Sequence, residues 1–148
     1  DMFKHNKILF ATLILCIALG LSDCGSADTS GGTVNLIDAD CKAKIAGDYQ
    51  ITGQEDNYWH LHISADEPDE GDNDFSIYDN YAGNPGVEGV IVSLDETKIK
   101  VKYDEDLYDA LPSDKWEING DYLEVTYEVT DSGIALTNNG DSLTFEKE

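Results

Sequence analysis

The sequence predicts an all-β domain: an antiparallel meander that closes into a small barrel or half-open barrel, with a β-sandwich as the alternative fold. Three observations predict it. Apolar residues recur at every second position from residue 47 onward. Turn residues separate these segments at short intervals. A meander of this kind must also hide its edge strands, either by closing or by packing two sheets together.

Chain length and charge set the domain organisation. The chain has 148 residues, which is room for one domain. We expect a signal peptide at 1–23, a tether and lead-in at 24–46, and one acidic β domain at 47–148. The formal net charge is −22, and every base is lysine. Such a field repels polyanions, so we expect no nucleic-acid partner and no electrostatic attachment to an anionic membrane.

The first residues have the three-part form of a secretory signal. Lys4 and Lys7 supply the positive start, and residues 8–21 form an uncharged apolar run. That run is shorter than the about 20 residues that a membrane-spanning helix needs. The segment therefore predicts export.

The end of this segment resembles the lipobox of bacterial lipoproteins. Leu21, Ser22 and Cys24 match that motif, whereas Asp23 stands where Gly, Ala or Ser is usual. The resemblance implies a lipid on Cys24 as the membrane partner, and Gly25 after it implies sorting to the outer membrane. Cleavage at a small-x-small site, giving a secreted or periplasmic protein, is the alternative.

The individual elements follow in order along the domain. A short helix fits 38–46, and another fits 104–111. Alternation is clearest at 97–103, where Ile99, Val101 and Tyr103 oppose three lysines. Strands are predicted at 49–51, 58–63, 75–77, 90–94, 97–103, 116–118, 122–129 and 143–145. Asn-Gly pairs at 119–120 and 139–140 indicate hairpin turns, because these residues adopt positive φ readily.

Several of these segments together resemble small lipocalin-like (calycin-type) bacterial lipoproteins. The similarity lies in the Gly-x-Tyr strand at 46–51 and in the segments at 58–63, 74–80, 90–92, 98–101 and 118–127. The family places such a strand after a lipoprotein signal and continues as a β-meander. The resemblance implies a lipocalin-like barrel or half-open barrel, and it assigns no activity.

Two groups of residues could hold a metal. His60 and His62 share one strand face about 6–7 Å apart, and that face opposes Trp59, so we expect it to meet solvent. The acidic loop at 66–74 contains Asp66, Asp69, Asp72 and Asp74, whose oxygens suit Ca²⁺. The alternatives are an ordinary polar strand face and a solvated loop; we expect no other cofactor.

Aromatic residues supply the candidate binding surface. Trp59, Tyr103 and Tyr127 fall on inward positions of predicted strands, where they could line a barrel mouth. A small hydrophobic ligand, a glycan or an envelope protein would suit such a surface. An open apolar lumen would favour ligand binding, and a filled core would favour a structural role.

The sequence predicts no enzyme. It contains no phosphate-binding glycine loop, nucleophile elbow or histidine-based triad. The function expected is that of an exported, lipid-anchored protein of the cell envelope that acts as a ligand-binding or interaction module. A structural or envelope-maintenance protein without a small-molecule ligand is the alternative, and a Ca²⁺-binding or glycan-binding surface domain is a third reading.

Overall fold

A computed structural model describes residues 36–54, 58–80 and 84–148. Eight antiparallel strands follow one another in sequence order, and the first pairs with the last, so the sheet closes into a barrel. Within the residues that the structure describes, closure leaves no strand at a sheet edge. The prediction of a small all-β meander barrel is confirmed, and the sandwich alternative is wrong.

The elements have the following bounds. One helix, α1, covers Ala39–Ile45, and one 3₁₀ turn covers Glu105–Leu107. The strands are β1 Gly47–Thr52, β2 Trp59–Ile63, β3 Phe75–Asp79, β4 Asn84–Leu94, β5 Lys98–Tyr103, β6 Tyr122–Val129, β7 Gly133–Asn138 and β8 Asp141–Lys147.

The barrel interior is filled by alternate side chains of the strands. On β5, Ile99 and Val101 are fully buried, whereas Lys98 and Lys102 are exposed on the outer face. The same alternation buries apolar residues from every strand: Tyr49, Ile51, Leu61, Ile63, Phe75, Ile77, Val87, Ile91, Leu94, Leu123, Val125, Ile134, Leu136, Leu143 and Phe145. Burial of this apolar surface is the main favourable term in folding.

Two segments differ from the predicted assignment of strands. Residues 116–118 form no strand: Trp116 lies in the β5–β6 connection, buried, and its Nε1 donates to the Asp141 carbonyl at 3.0 Å. The period-two pattern there reflects a loop that covers the core. Strand β7 had no predicted counterpart, although Ile134 and Leu136 alternate inward along it.

The two ends of the barrel are closed differently. At one end, here called the helix end, α1 begins after Asp38, whose side chain accepts from the Asp40 and Cys41 amides, and it buries Cys41 and Ile45 against the core. At the opposite end, the loop end, the β5–β6 connection at 104–121 brings Trp116 into the core. The predicted helix at 38–46 is confirmed, and the one at 104–111 is reduced to the 3₁₀ turn.

The lead-in is joined to the barrel wall before α1 begins. The Leu94 amide donates to the Leu36 carbonyl at 2.8 Å, and the Asp38 amide donates to the Leu94 carbonyl at 2.9 Å. Ile37 thereby forms a parallel bridge with Leu94 at the end of β4. Within the described ranges no helix is long and apolar enough to cross a bilayer.

Candidate functional site

The predicted aromatic residues do not meet inside the barrel. Trp59 and Tyr103 lie toward the loop end, on β2 and β5, whereas Tyr127 lies near the helix end of β6. All three are partly buried and pack against the core. Tyr127 is fixed by a hydrogen bond from its hydroxyl to the Asp95 carbonyl at 2.7 Å, and Tyr103 meets Tyr108 edge to face with ring centroids 5.5 Å apart.

A depression on the outside of the wall does bring predicted residues together. It lies between the β2–β3 loop, at 68–73, and the outer face of β4 and β5, and its volume is about 380 Å³. We call it the outer groove. Asp69 and Asp72 line one side, and Tyr103, Lys102 and Val90 line the other. One predicted aromatic residue and two predicted carboxylates therefore share one surface site.

The local fold explains how this groove arises. Val90 and Lys102 are paired across β4 and β5 and both point outward, because Ile91 and Val101 fill the adjacent inward positions. The pairing of β3 with β4 reaches only to Phe75 opposite Gly89, so the β2–β3 loop continues alongside the outer part of β4. The groove has an apolar and lysine-bearing floor beneath a negatively charged loop.

The acidic loop is not arranged as a metal site. Asp74 is buried and hydrogen-bonded within the protein, whereas Asp66, Asp69 and Asp72 are exposed. In the part of the chain that the structure describes, no group of three or more His, Cys, Asp or Glu side chains could hold a metal ion. The six predicted metal ligands are therefore not gathered around one point.

Asp74 instead forms a buried ion pair with Lys42, a contact that no sequence pattern indicated. Lys42 Nζ lies 2.7 Å from Asp74 Oδ2, and the two side chains are 4% and 1% exposed. The same Nζ donates to the Asp66 carbonyl at 2.7 Å, and Asp74 Oδ1 accepts from the Ile91 amide at 2.7 Å. These bonds attach α1 to the β2–β3 loop and to β4.

The two histidines lie in different surroundings. His62 is partly exposed, with Nδ1 2.7 Å from Asp48 Oδ1. His60 is only 9% exposed, which corrects the expectation that both would meet solvent, because its ring stacks on Tyr78 at 5.3 Å. His60 Nδ1 lies 3.3 Å from Glu148 Oε1, but the angles do not make a hydrogen bond.

The ionisation of Tyr78 is affected by its burial and by the charges around this histidine pair. Its burial raises the pKa of the phenol above the usual tyrosine value, and the charges of Glu148 and Asp48 raise it further. The His60–His62 face is thus a polar surface with carboxylates on two sides. It supplies histidine–carboxylate pairs rather than a set of ligands that converge on one ion.

The three lysines of β5 form a row on the outer wall. Lys100 lies opposite Glu124, since β5 and β6 are neighbours, and its Nζ lies 4.5 Å from the centre of the Tyr122 ring. Lys102 lines the outer groove, and Lys98 lines a second depression of about 240 Å³ beside β6 and β7. The row thus connects two surface depressions.

Asn138 is a further residue that the sequence analysis did not single out. It is 8% exposed at the end of β7. Its side-chain oxygen accepts from the Glu117 amide at 2.8 Å, and its nitrogen donates to the carbonyls of Glu117 and Glu124. It holds the β5–β6 connection over the loop end. Its place in an Asn-Asn-Gly turn sequence concealed this role.

Comparisons of the chain with models of protein families, with curated proteins and with solved structures gave no match. Cys24, the predicted lipidation site, lies outside the described residues.

Proposed function

We propose that this protein is an exported interaction module of the cell envelope, tethered by a lipid on Cys24, which binds its partner on the outer wall of the barrel. The observation that carries the proposal is the filled interior. Ile51, Ile77, Ile99 and Phe145 are each fully buried at inward positions of four different strands. Close packing of this kind leaves a protein interior with few voids larger than a water molecule.

The outer groove supports a partner that lies on the surface. Its volume of about 380 Å³ falls within the usual range of small-ligand sites, but it is an open trough beside the β2–β3 loop rather than an enclosed chamber. Tyr103 and Val90 offer apolar contact, and Lys102 and Asp72 offer polar contact of both signs. An extended segment of an envelope protein or a glycan fits this combination better than a fatty acid does.

The sequence of residues 2–24 is the basis for proposing a lipid tether. Leu21, Ser22 and Cys24 supply the lipobox-like residues, and residues 36–38 deliver the chain to the helix end of the barrel. Two acyl chains on one cysteine suffice for stable anchoring. Replacing Cys24 with Ser in the full chain should move the protein from the membrane fraction to the soluble fraction. Unchanged partitioning of the two proteins would contradict the anchor.

The outer-wall binding is tested by position-specific photo-cross-linking in cells that carry the full chain. A photoreactive residue in place of Glu70, which lines the outer groove, should give discrete adducts, and adding Tyr103→Ala should reduce them. The matched control is the same residue in place of Glu128, which is exposed on β6. Equal adducts from both positions would contradict the groove as the binding surface.

The filled interior also favours a second function, that of a structural envelope protein without a ligand. Thermal melting distinguishes outer-wall binding and the structural role from ligand binding inside the barrel. A ligand that binds only the folded state raises Tm as its concentration rises. A long-chain fatty acid that raises Tm would contradict outer-wall binding. A chain that gives neither adducts from position 70 nor any rise in Tm with glycans would be assigned the structural role.

A further inference from the structure

The buried pair of Lys42 and Asp74 is a reactive combination that the proposed function does not use. An amine and a carboxyl group lie in contact, with 2.7 Å between Nζ and Oδ2, and the side chains are 4% and 1% exposed. Their neighbours along the chain and across it, Cys41, Phe75 and Ile91, are all 0–1% exposed. Two charged groups are almost never buried to this extent without being paired.

We propose that Lys42 and Asp74 condense into an intramolecular isopeptide bond, with Nζ joined to the side-chain carbon Cγ and one water released. This inference is independent of the proposed function. The ammonium and the carboxylate together contain the atoms of the amide and of one water molecule. The reaction needs no oxidant, reductant or cofactor, and no net charge leaves the site.

The first step is the conversion of the ion pair into neutral partners. Both side chains are shielded from water, so no solvent stabilises the two charges and each has only the other and the backbone as partners. A single proton passes from Nζ to Oδ2 along the hydrogen bond that already joins them. The products are a primary amine and a carboxylic acid, which are the partners of an amide condensation.

The second step is directed by two backbone groups. The Asp66 carbonyl accepts from Nζ at 2.7 Å, and it holds one N–H away from Asp74 so that the nitrogen lone pair is available to Cγ. As the C–N bond forms, negative charge develops on Oδ1, to which the Ile91 amide donates at 2.7 Å. A fixed donor at such an oxygen stabilises the transition state. The second amine proton then moves to Oδ2, the C–O bond breaks, and Oδ2 leaves as water.

A second lysine–carboxylate pair shows what is specific to this one. Lys115 Nζ lies 3.9 Å from Asp141 Oδ1, and the Lys115 side chain is 70% exposed. Water solvates that ammonium, and the two groups are held less closely. Lys42 has both the contact and the exclusion of water. Holding two reacting groups in contact lowers the barrier to their reaction.

The test is mass spectrometry of the full chain after denaturation and tryptic digestion. Trypsin cleaves after lysine, and residues 45–98 contain only the terminal lysine. We expect Lys42 to resist cleavage, and the segment that ends at Lys44 to be joined to the 45–98 segment, lighter by one water. Complete cleavage after Lys42 in a folded sample, with both peptides at their sequence masses, would overturn the proposal.

Variants assign the bond to the two residues. Lys42→Met and Asp74→Ala should abolish the linked peptide, whereas Lys44→Met, on the exposed face of the same helix, should retain the bond and the loss of one water. Asp74→Asn keeps the side-chain carbonyl but lacks the carboxylate that takes the first proton from Nζ, so it should give no linked peptide. A linked peptide that persists in Lys42→Met would also overturn the assignment. The wild-type digest decides the question if a variant fails to fold.

Discussion

The ammonium of Lys42 donates a 2.7 Å hydrogen bond to the carboxylate of Asp74 across 32 residues of sequence, and neither group meets solvent. This contact fixes α1 against the helix end of the barrel. The same carboxylate accepts a hydrogen bond from the Ile91 amide. Ile91 lies on the part of β4 that extends beyond its pairing with β3. One buried pair thus joins three separate parts of the fold.

Replacing Lys42 with Met should destabilise the protein strongly. The change leaves the Asp74 carboxylate buried without a partner, whether the native contact is the ion pair or the proposed amide, and removing one member of a buried pair costs about 3–5 kcal/mol. Lys44→Met is the matched control, since Lys44 lies exposed on the same helix, and it should change the free energy of unfolding by less than about 0.5 kcal/mol. Urea denaturation of wild type, Lys42→Met and Lys44→Met measures the change in the free energy of unfolding for each variant. Equal midpoints for the two variants would show that the pair contributes little.

Replacing Gly86 with Ala should destabilise more than the same change at Gly53. Both glycines have positive φ, +24° and +75°. A Cβ at Gly86 would collide with the Ile77 carbonyl and lie 2.6 Å from Trp59 Cζ3, whereas at Gly53 nothing lies within 4 Å. Overpacking adds about 1–3 kcal/mol to the backbone cost that the two changes share. Thermal and urea unfolding should reveal that difference, and its absence would contradict the tight approach of β3 and β4.

Asn138→Ala should loosen the connection at 104–121 and lower stability by about 1–3 kcal/mol. The change leaves the Glu117 amide and the carbonyls of Glu117 and Glu124 without their partner, and buried groups without hydrogen bonds carry that penalty. Hydrogen exchange should accelerate at the Glu117 amide. Ser142→Ala, at an exposed position on β8, serves as the control and should leave exchange unchanged. Unaltered exchange in Asn138→Ala would refute the tethering role.

Asp95, in the turn between β4 and β5, should make a pH-dependent contribution to the free energy of unfolding. Backbone hydrogen bonds from Thr97 and Lys98 to its carboxylate lower its pKa below the usual value. The folded state therefore favours the charged form, and the stabilisation is present above the unfolded pKa and is lost as pH falls through the folded one. Asp95→Asn should be less stable than wild type at pH 7, with the difference shrinking on acidification.

Glu96→Gln provides the comparison for this turn, because Glu96 is exposed beside Asp95. Its free energy of unfolding should stay close to that of wild type across the same pH range. Equilibrium unfolding between neutral and acid pH measures all three proteins. A constant difference between Asp95→Asn and wild type would indicate that the hydrogen bonds do not depend on the charge.

The sequence predicted the fold where the period of two was unbroken. Along β5 and β6, alternate residues such as Ile99 and Leu123 are buried, and the register follows from which face meets the core. The pattern misled at 116–118, because Trp116 and Ile118 approach the core from a loop. Local alternation cannot distinguish a strand from a connection that places two apolar side chains on the same core.

The candidate site was predictable only in part. The sequence predicted an acidic loop and aromatic residues at inward positions of a barrel mouth, whereas the structure brings Asp69, Asp72 and Tyr103 together at the outer groove. The Lys42–Asp74 contact could not be predicted, because it depends on how α1 sits against the β2–β3 loop. His60 was misjudged for a similar reason: its strand face points outward, but Tyr78 on the next strand covers it.

The join between Leu36 and Leu94 has a mechanical consequence for a protein held by its N-terminal segment. Tension applied ahead of Leu36 would reach the two backbone hydrogen bonds to β4 before it reached α1. Because the short segment runs parallel to β4, both bonds would resist sliding together rather than opening one after the other. A pull on the N-terminal segment would then load β4 directly, and α1 would stay in place against the barrel.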